Sequence, residues 1–180
     1  MQGPRSIYAI AALALAAVVA AYIVWAQPNE RTRSPMPPTG EIPDNVEVRQ
    51  DVVYGKGGER DLKLDLYLPR DDEAKRPAVV FIHGGGWKGG NRGQFRPQSL
   101  HLASKGYVCA CIEYRLSGEA TFPAAIEDAK CAVRFVRASA EELRVDPDRI
   151  AVAGGSAGGH LCGLVATADE SADLEGTGGH

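Results

Sequence analysis

This 180-residue sequence predicts an α/β domain built on a mostly parallel sheet, and three observations carry that prediction. Residues 78–82, 107–112 and 149–153 are short, largely apolar runs of the kind that become parallel strands buried on both faces. Helical patterns separate and follow them, over residues 98–105, 123–137 and 156–168. Such alternation places helices on both faces of a parallel sheet. Finally, 11 of the 21 glycines fall in two windows, 84–93 and 154–163, each directly after one of those strands. That position is the carboxyl edge, where ligands bind in open α/β sheets.

In chain order, residues 7–26 are an apolar run of 20 behind Arg5, ending in Val24-Trp25-Ala26 before polar sequence. The layout is that of a secretory signal peptide cut before Gln27. The alternative is an uncleaved anchor, because 20 helical residues span a bilayer core of roughly 30 Å. Either way the remainder is expected outside the cytoplasm, periplasmic or extracellular, with membrane contact only if the helix is uncleaved. Residues 27–44 hold five of the eleven prolines and read as an extended linker. The folded domain is expected over 45–180.

Within it, runs at 46–54 and 62–68 flank Gly55-Lys56-Gly57-Gly58, an antiparallel hairpin signal. Leu62, Leu64, Leu66 and Leu68 alternate with Lys63, Asp65 and Tyr67, which predicts one buried and one wet face. Gly106 closes the first helix and Pro123 opens the second, whose Ile126, Ala129, Val133 and Val136 share a face. Residues 170–180 carry no periodicity.

A net charge of −3 without a basic stripe excludes nucleic acid as the main partner. Cys109 and Cys111 are two apart on one strand face, and a bond between them would distort the strand. Cys131 and Cys162 fall in helical patterns, so four buried thiols are expected rather than disulfides. No Cys-His spacing suggests a metal site.

The first glycine window invites a misreading. Gly84-Gly85-Gly86-Trp87-Lys88-Gly89 matches G-x-G-x-x-G after a strand. A dinucleotide fold, however, starts its helix inside the glycine turn, and here Gly89, Gly90, Gly93 and Pro97 push the helix downstream. The second window, Gly154-Gly155-Ser156-Ala157-Gly158, matches G-x-S-x-G between a strand and a helix, the context of a nucleophile elbow. A serine on so sharp a turn needs neighbours without a Cβ. Acyl transfer also needs backbone N–H groups for a developing oxyanion. Ala157 supplies one, and His83-Gly84-Gly85-Gly86-Trp87, on the strand expected beside that of Ser156, is small enough to supply the others.

Together these motifs, with Leu64-Asp65-Leu66-Tyr67-Leu68-Pro69, Glu113-Tyr114-Arg115-Leu116, Phe122-Pro123-Ala124-Ala125 and Asp128, resemble the first part of an α/β-hydrolase. The family is the hormone-sensitive-lipase and feruloyl-esterase-like (BD-FAE-like) carboxylesterases. The resemblance implies a serine carboxylic-ester hydrolase that uses no cofactor. Ser156 would be the nucleophile, with Gly85, Gly86 and Ala157 as oxyanion donors; Gly84 is an alternative that sequence does not decide. His83, Gly84 and Trp87 would contact substrate, His83 mainly by orienting the glycine loop. Glu113, Arg115 and Asp128 would form a polar network beneath the site. The expected substrate is a small-molecule or polysaccharide-linked ester, such as a short acyl, acetyl or feruloyl ester.

A serine nucleophile needs a base and an orienting acid, which in this family follow on later strands. Only 24 residues follow Ser156, with His160 and His180 as their histidines. The direction of His160 along its helix does not suit it as base. The expectation is therefore a partial domain whose C-terminal strands, acid and base are missing. Two alternatives stand beside it: an inactive chain or interaction module, and a peptidase or amidase of the same fold.

Overall fold

The computed structural model describes residues 41–71 and 75–179. The expected leader at 1–26 and nearly all of the linker lie outside the described residues. A mixed sheet has the order β1-β2-β4-β3-β5, from β1 (Val46–Gly57), β2 (Arg60–Pro69), β3 (Arg76–Ile82), β4 (Val108–Ile112) and β5 (Val145–Gly154). Strands β4, β3 and β5 are parallel, β2 is antiparallel to β4, and β1 is antiparallel to β2. Helix α1 (Arg96–Ala103) lies against β4 and β2, while α2 (Ala124–Ala138) and α3 (Ala157–Thr167) pack on each other and on the sheet.

Strand periodicity divides the core. Leu62, Leu64 and Leu66, with Val80, Ile82, Ala110 and Ile112, meet Ile126, Ala129 and Val136 of α2 and Leu161 of α3. Each such burial is worth about 1.5–3 kcal/mol for a large aliphatic side chain. The alternate residues Tyr67, Phe81, Cys109 and Cys111 face Leu100 and Ala103 of α1. All four cysteines are free, and burial pushes the Cys111 thiol up to about 12.

Three expectations need correction. The second face of β2 is not wet: Tyr67 is covered by the α1 layer, and Asp65 is buried with its Oδ1 accepting from Arg92 Nη1 at 2.7 Å. Strand β5 is not buried throughout; it has β3 as its neighbour among the described residues, and Ala151 is exposed. The aperiodic tail is an ordered strap. Leu174 is buried, Glu175 pairs with Lys130 and Arg134, and Gly178 lies against the backbone of Lys56.

Candidate active site

Strands β3 and β5 end side by side, Ile82 opposite Gly154, so the segments that follow them share one rim. The chain leaves β5 through Gly155 and turns into α3 at Ser156, which has φ 53° and ψ −118°. A non-glycine residue there is strained, and surrounding structure must hold it. The first turn of α3 sits directly on the end of β3: a Cβ on Gly158 would lie 2.0 Å from Ile82 O. Gly84 is equally constrained, since its Cβ would lie 2.7 Å from Gly155 O and 3.5 Å from Ser156 Cβ. The glycine loop therefore runs against the serine corner.

Ser156 occupies the N-cap position of α3, where a serine ordinarily bonds a first-turn N–H. Here it makes no capping hydrogen bond and is exposed. Its hydroxyl stands at the positive end of the α3 dipole, where developing negative charge is favoured.

The loop is held plane by plane. The His83–Gly84 peptide is bound at both ends: His83 O accepts from the Tyr114 hydroxyl at 3.0 Å, and Gly84 N donates to Gln94 Oε1 at 2.6 Å. In the next peptide, Gly84 O bonds His83 Nδ1 at 2.8 Å. Because a carbonyl only accepts, Nδ1 carries the proton. Burial holds the His83 imidazole below its usual pKa and so neutral. In the third peptide, Gly85 O accepts from Lys88 N and Gly89 N, both at 3.1 Å. A trans peptide points its N–H opposite its C=O. Fixing the carbonyls of Gly84 and Gly85 thus fixes the N–H groups of Gly85 and Gly86. Among the described residues those two N–H groups, and that of Ala157, donate to nothing. Gly84, whose N–H is engaged, is removed as an alternative donor.

Of the three residues expected to contact substrate, His83 and Gly84 are buried beneath the loop, His83 at 2% exposure with its ring stacked on Tyr114 at 4.4 Å. They support the loop and do not line the cavity beside Trp87; His83 borders a separate one of about 170 Å³ with Arg92, Glu113 and Tyr114. Trp87 does line the first of these. It has φ 59°, its carbonyl accepts from Ser117 N at 2.7 Å, and its indole meets the His160 ring edge-on at 5.4 Å. The cavity, about 370 Å³, is walled mainly by Gly86, Trp87, Phe122, Ile126, Leu161 and Leu164. His160 is turned to Trp87, and its backbone N–H donates to Ser156 O at 3.0 Å. None of His83, His101 and His160 hydrogen-bonds the Ser156 side chain, and His180 lies outside the described residues.

The expected polar network divides in two. Arg115 holds Asp128 through paired hydrogen bonds and also reaches Glu127, which raises the Arg115 pKa. Glu113 joins a separate group around Arg60 and Arg92. Sequence reasoning missed Gln94, Tyr114 and Ser117 as loop anchors, because each acts on a partner distant in the chain and no local pattern marks it. Among the described residues no cluster of His, Cys, Asp or Glu is placed to hold a metal ion.

A parallel trio flanked by an antiparallel hairpin, with a strained serine corner facing a glycine loop, defines a partial α/β-hydrolase fold. The chain belongs to the BD-FAE family, whose profile matches residues 64–180. It is 44% identical over 119 residues to a probable carboxylic ester hydrolase, LipM, of Mycobacterium tuberculosis, covering 64% of this chain and 27% of that protein. It is 38% identical to the carboxylesterase NlhH of the same species, over 65% of this chain and 37% of that one. Among solved structures, the Thermogutta terrifontis esterase Est2 matches with a TM-score of 0.61 at 43% identity, covering 69% of this chain and 44% of that chain. A bacterial heroin esterase matches with a TM-score of 0.64 at 35% identity, over 76% and 42% of the two chains. The chain thus spans about a quarter to two fifths of the length of these curated relatives.

Proposed function

We propose that this chain carries the nucleophile and oxyanion hole of a serine carboxylic-ester hydrolase. One observation carries the reading: the uncapped Ser156 hydroxyl stands beside a loop with two fixed, undonated N–H groups, those of Gly85 and Gly86. Ser156 Oγ attacks the ester carbonyl carbon, the oxyanion is met by the N–H groups of Gly85, Gly86 and Ala157, and the alcohol leaves an acyl-Ser156 that water hydrolyses. An apolar, uncharged part of a small ester occupies the cavity beside Trp87. The names of the relatives support an ester as substrate. An ester carried on a polysaccharide is the extension of the same reading. Export through residues 7–26 rests on the sequence layout.

The proton on Ser156 needs a base that the described residues do not bring to it. A second reading, a chain that keeps the elbow as an interaction module without turnover, draws on that same observation. Acylation with p-nitrophenyl acetate, with and without imidazole as an external base, separates the two. The hydrolase reading expects background turnover without imidazole, and acetyl-Ser156 on peptide mass spectrometry with it. Ser156→Ala abolishes the acetylated peptide. No acetylation of Ser156 under either condition favours the interaction module.

A further inference from the structure

The 3₁₀ turn Arg92–Phe95 sits between two anchors. On one side Arg92 is bound to Asp65 and Asp51, each at 2.7 Å, and faces Glu113 at 3.4 Å; on the other, Phe95 stacks on Phe81 at 5.2 Å. Between them Gln94 reaches back ten residues along the chain to the Gly84 N–H. We propose that Gln94 is a positioning residue, setting through the Gly84 N–H which loop amides face Ser156; this rests on the oxyanion-hole reading above.

The reason is geometric. Gly85, Gly86 and Trp87 all have φ between 59° and 125°, a run in which peptide planes can rotate to exchange N–H for C=O. A rotation at Gly84 would turn its N–H toward the site and aim the following peptides elsewhere. The His83–Gly84 peptide is the first plane of the loop, and Gln94 with Tyr114 holds its two ends. Gln94 is itself preorganised by the Arg92 ion pairs and the Phe95 stack, so little side-chain freedom is lost in holding the amide. Its bond takes the Gly84 N–H out of the donor set and leaves those of Gly85 and Gly86.

The test uses the full chain and two variants. Gln94→Met removes the acceptor at similar length, and Gln94→Glu keeps an oxygen of the same reach. Two readouts are followed: the amide proton shifts of Gly84, Gly85 and Gly86 by NMR, and imidazole-assisted acetylation of Ser156 resolved into maximal rate and KM. Gln94→Met is expected to move all three amide shifts and to lower the maximal rate about tenfold with KM within about twofold. Gln94→Glu is expected to keep the Gly84 amide engaged through its carboxylate oxygen, whereas a purely steric role would leave the Gly84 shift unmoved in Gln94→Met as well. A Gln94→Met protein whose Gly84 shift moves while Gly85, Gly86 and the maximal rate stay as in the parent overturns the proposal. If the parent chain is not acetylated at all, the nucleophile reading fails. The proposal about Gln94 is then decided by whether the Gly85 and Gly86 shifts follow that of Gly84.

Discussion

Ser156 and Gly158 hold the corner together through opposite demands. The serine carries a side chain at a backbone angle that disfavours one, and the glycine omits a side chain where a backbone carbonyl occupies its place. Gly163, on the same helix, has nothing within 4 Å of its missing Cβ. The two glycines should respond oppositely to alanine. Gly158→Ala drives a methyl into Ile82 O and is expected to lower unfolding free energy by about 1–3 kcal/mol. Gly163→Ala gains helix propensity and is expected to raise it by about 0.5–1 kcal/mol. Urea denaturation of both variants checks the pair, and equal effects would remove the close approach from the account of the corner.

At the scale of elements, the strap after α3 shows how an aperiodic segment becomes ordered. Lys130, buried on α2, donates to Ala168 O at 2.8 Å and pairs with Glu175, which Arg134 also holds at 2.9 Å. The Lys130 hydrogen bond is the largest cause holding the Glu175 pKa below its ordinary 4.5. A carboxylate depressed in the folded state contributes stability that is present above its unfolded value and lost as pH falls through the folded one. The strap should therefore loosen as pH drops below about 4.5. Amide protection factors across residues 174–179, exchange rates divided into the intrinsic rate at each pH, should fall on acidification in the parent chain. In Glu175→Gln they should be low already and insensitive to pH over that window. An acid response unchanged by the substitution would assign the loosening to another group.

For the whole molecule, the parallel trio ends at β5, which has no strand on its outer side among the described residues. Asp146, Pro147 and Asp148 blunt the first half of that edge, but Ile150–Ala153 is an apolar stretch of the kind that templates pairing with other chains. Self-association of this chain is accordingly expected, and Ala151→Lys, at an exposed β5 position, should reduce it in sedimentation velocity. An unchanged sedimentation profile would place the contact elsewhere. The relatives extend well beyond the matched region, since this chain covers 44% of the Est2 chain and 27% of LipM.

Much of this was legible in residue order, because it depends on local requirements. A two-residue period assigns Leu62, Leu64 and Leu66 to one face of β2 whatever lies opposite. A glycine-flanked serine after an apolar strand marks a strand-to-helix corner, since other residues cannot make that turn. The rest depended on partners far apart in the chain. Asp65 looks like a solvent-facing residue until Arg92 arrives to pair with it. His83 reads as a substrate contact until Tyr114 stacks on it and covers it. The Gly84 N–H is taken by Gln94, whose hydrogen bond exists only once the loop has folded back on itself. Sequence alone determined which segments become strands, helices and the serine corner, because backbone sterics and side-chain period act over a few residues. The tertiary structure decided which amides of the loop beside Ser156 are left without an acceptor, because hydrogen-bond donors are assigned by whichever acceptors folding brings within reach.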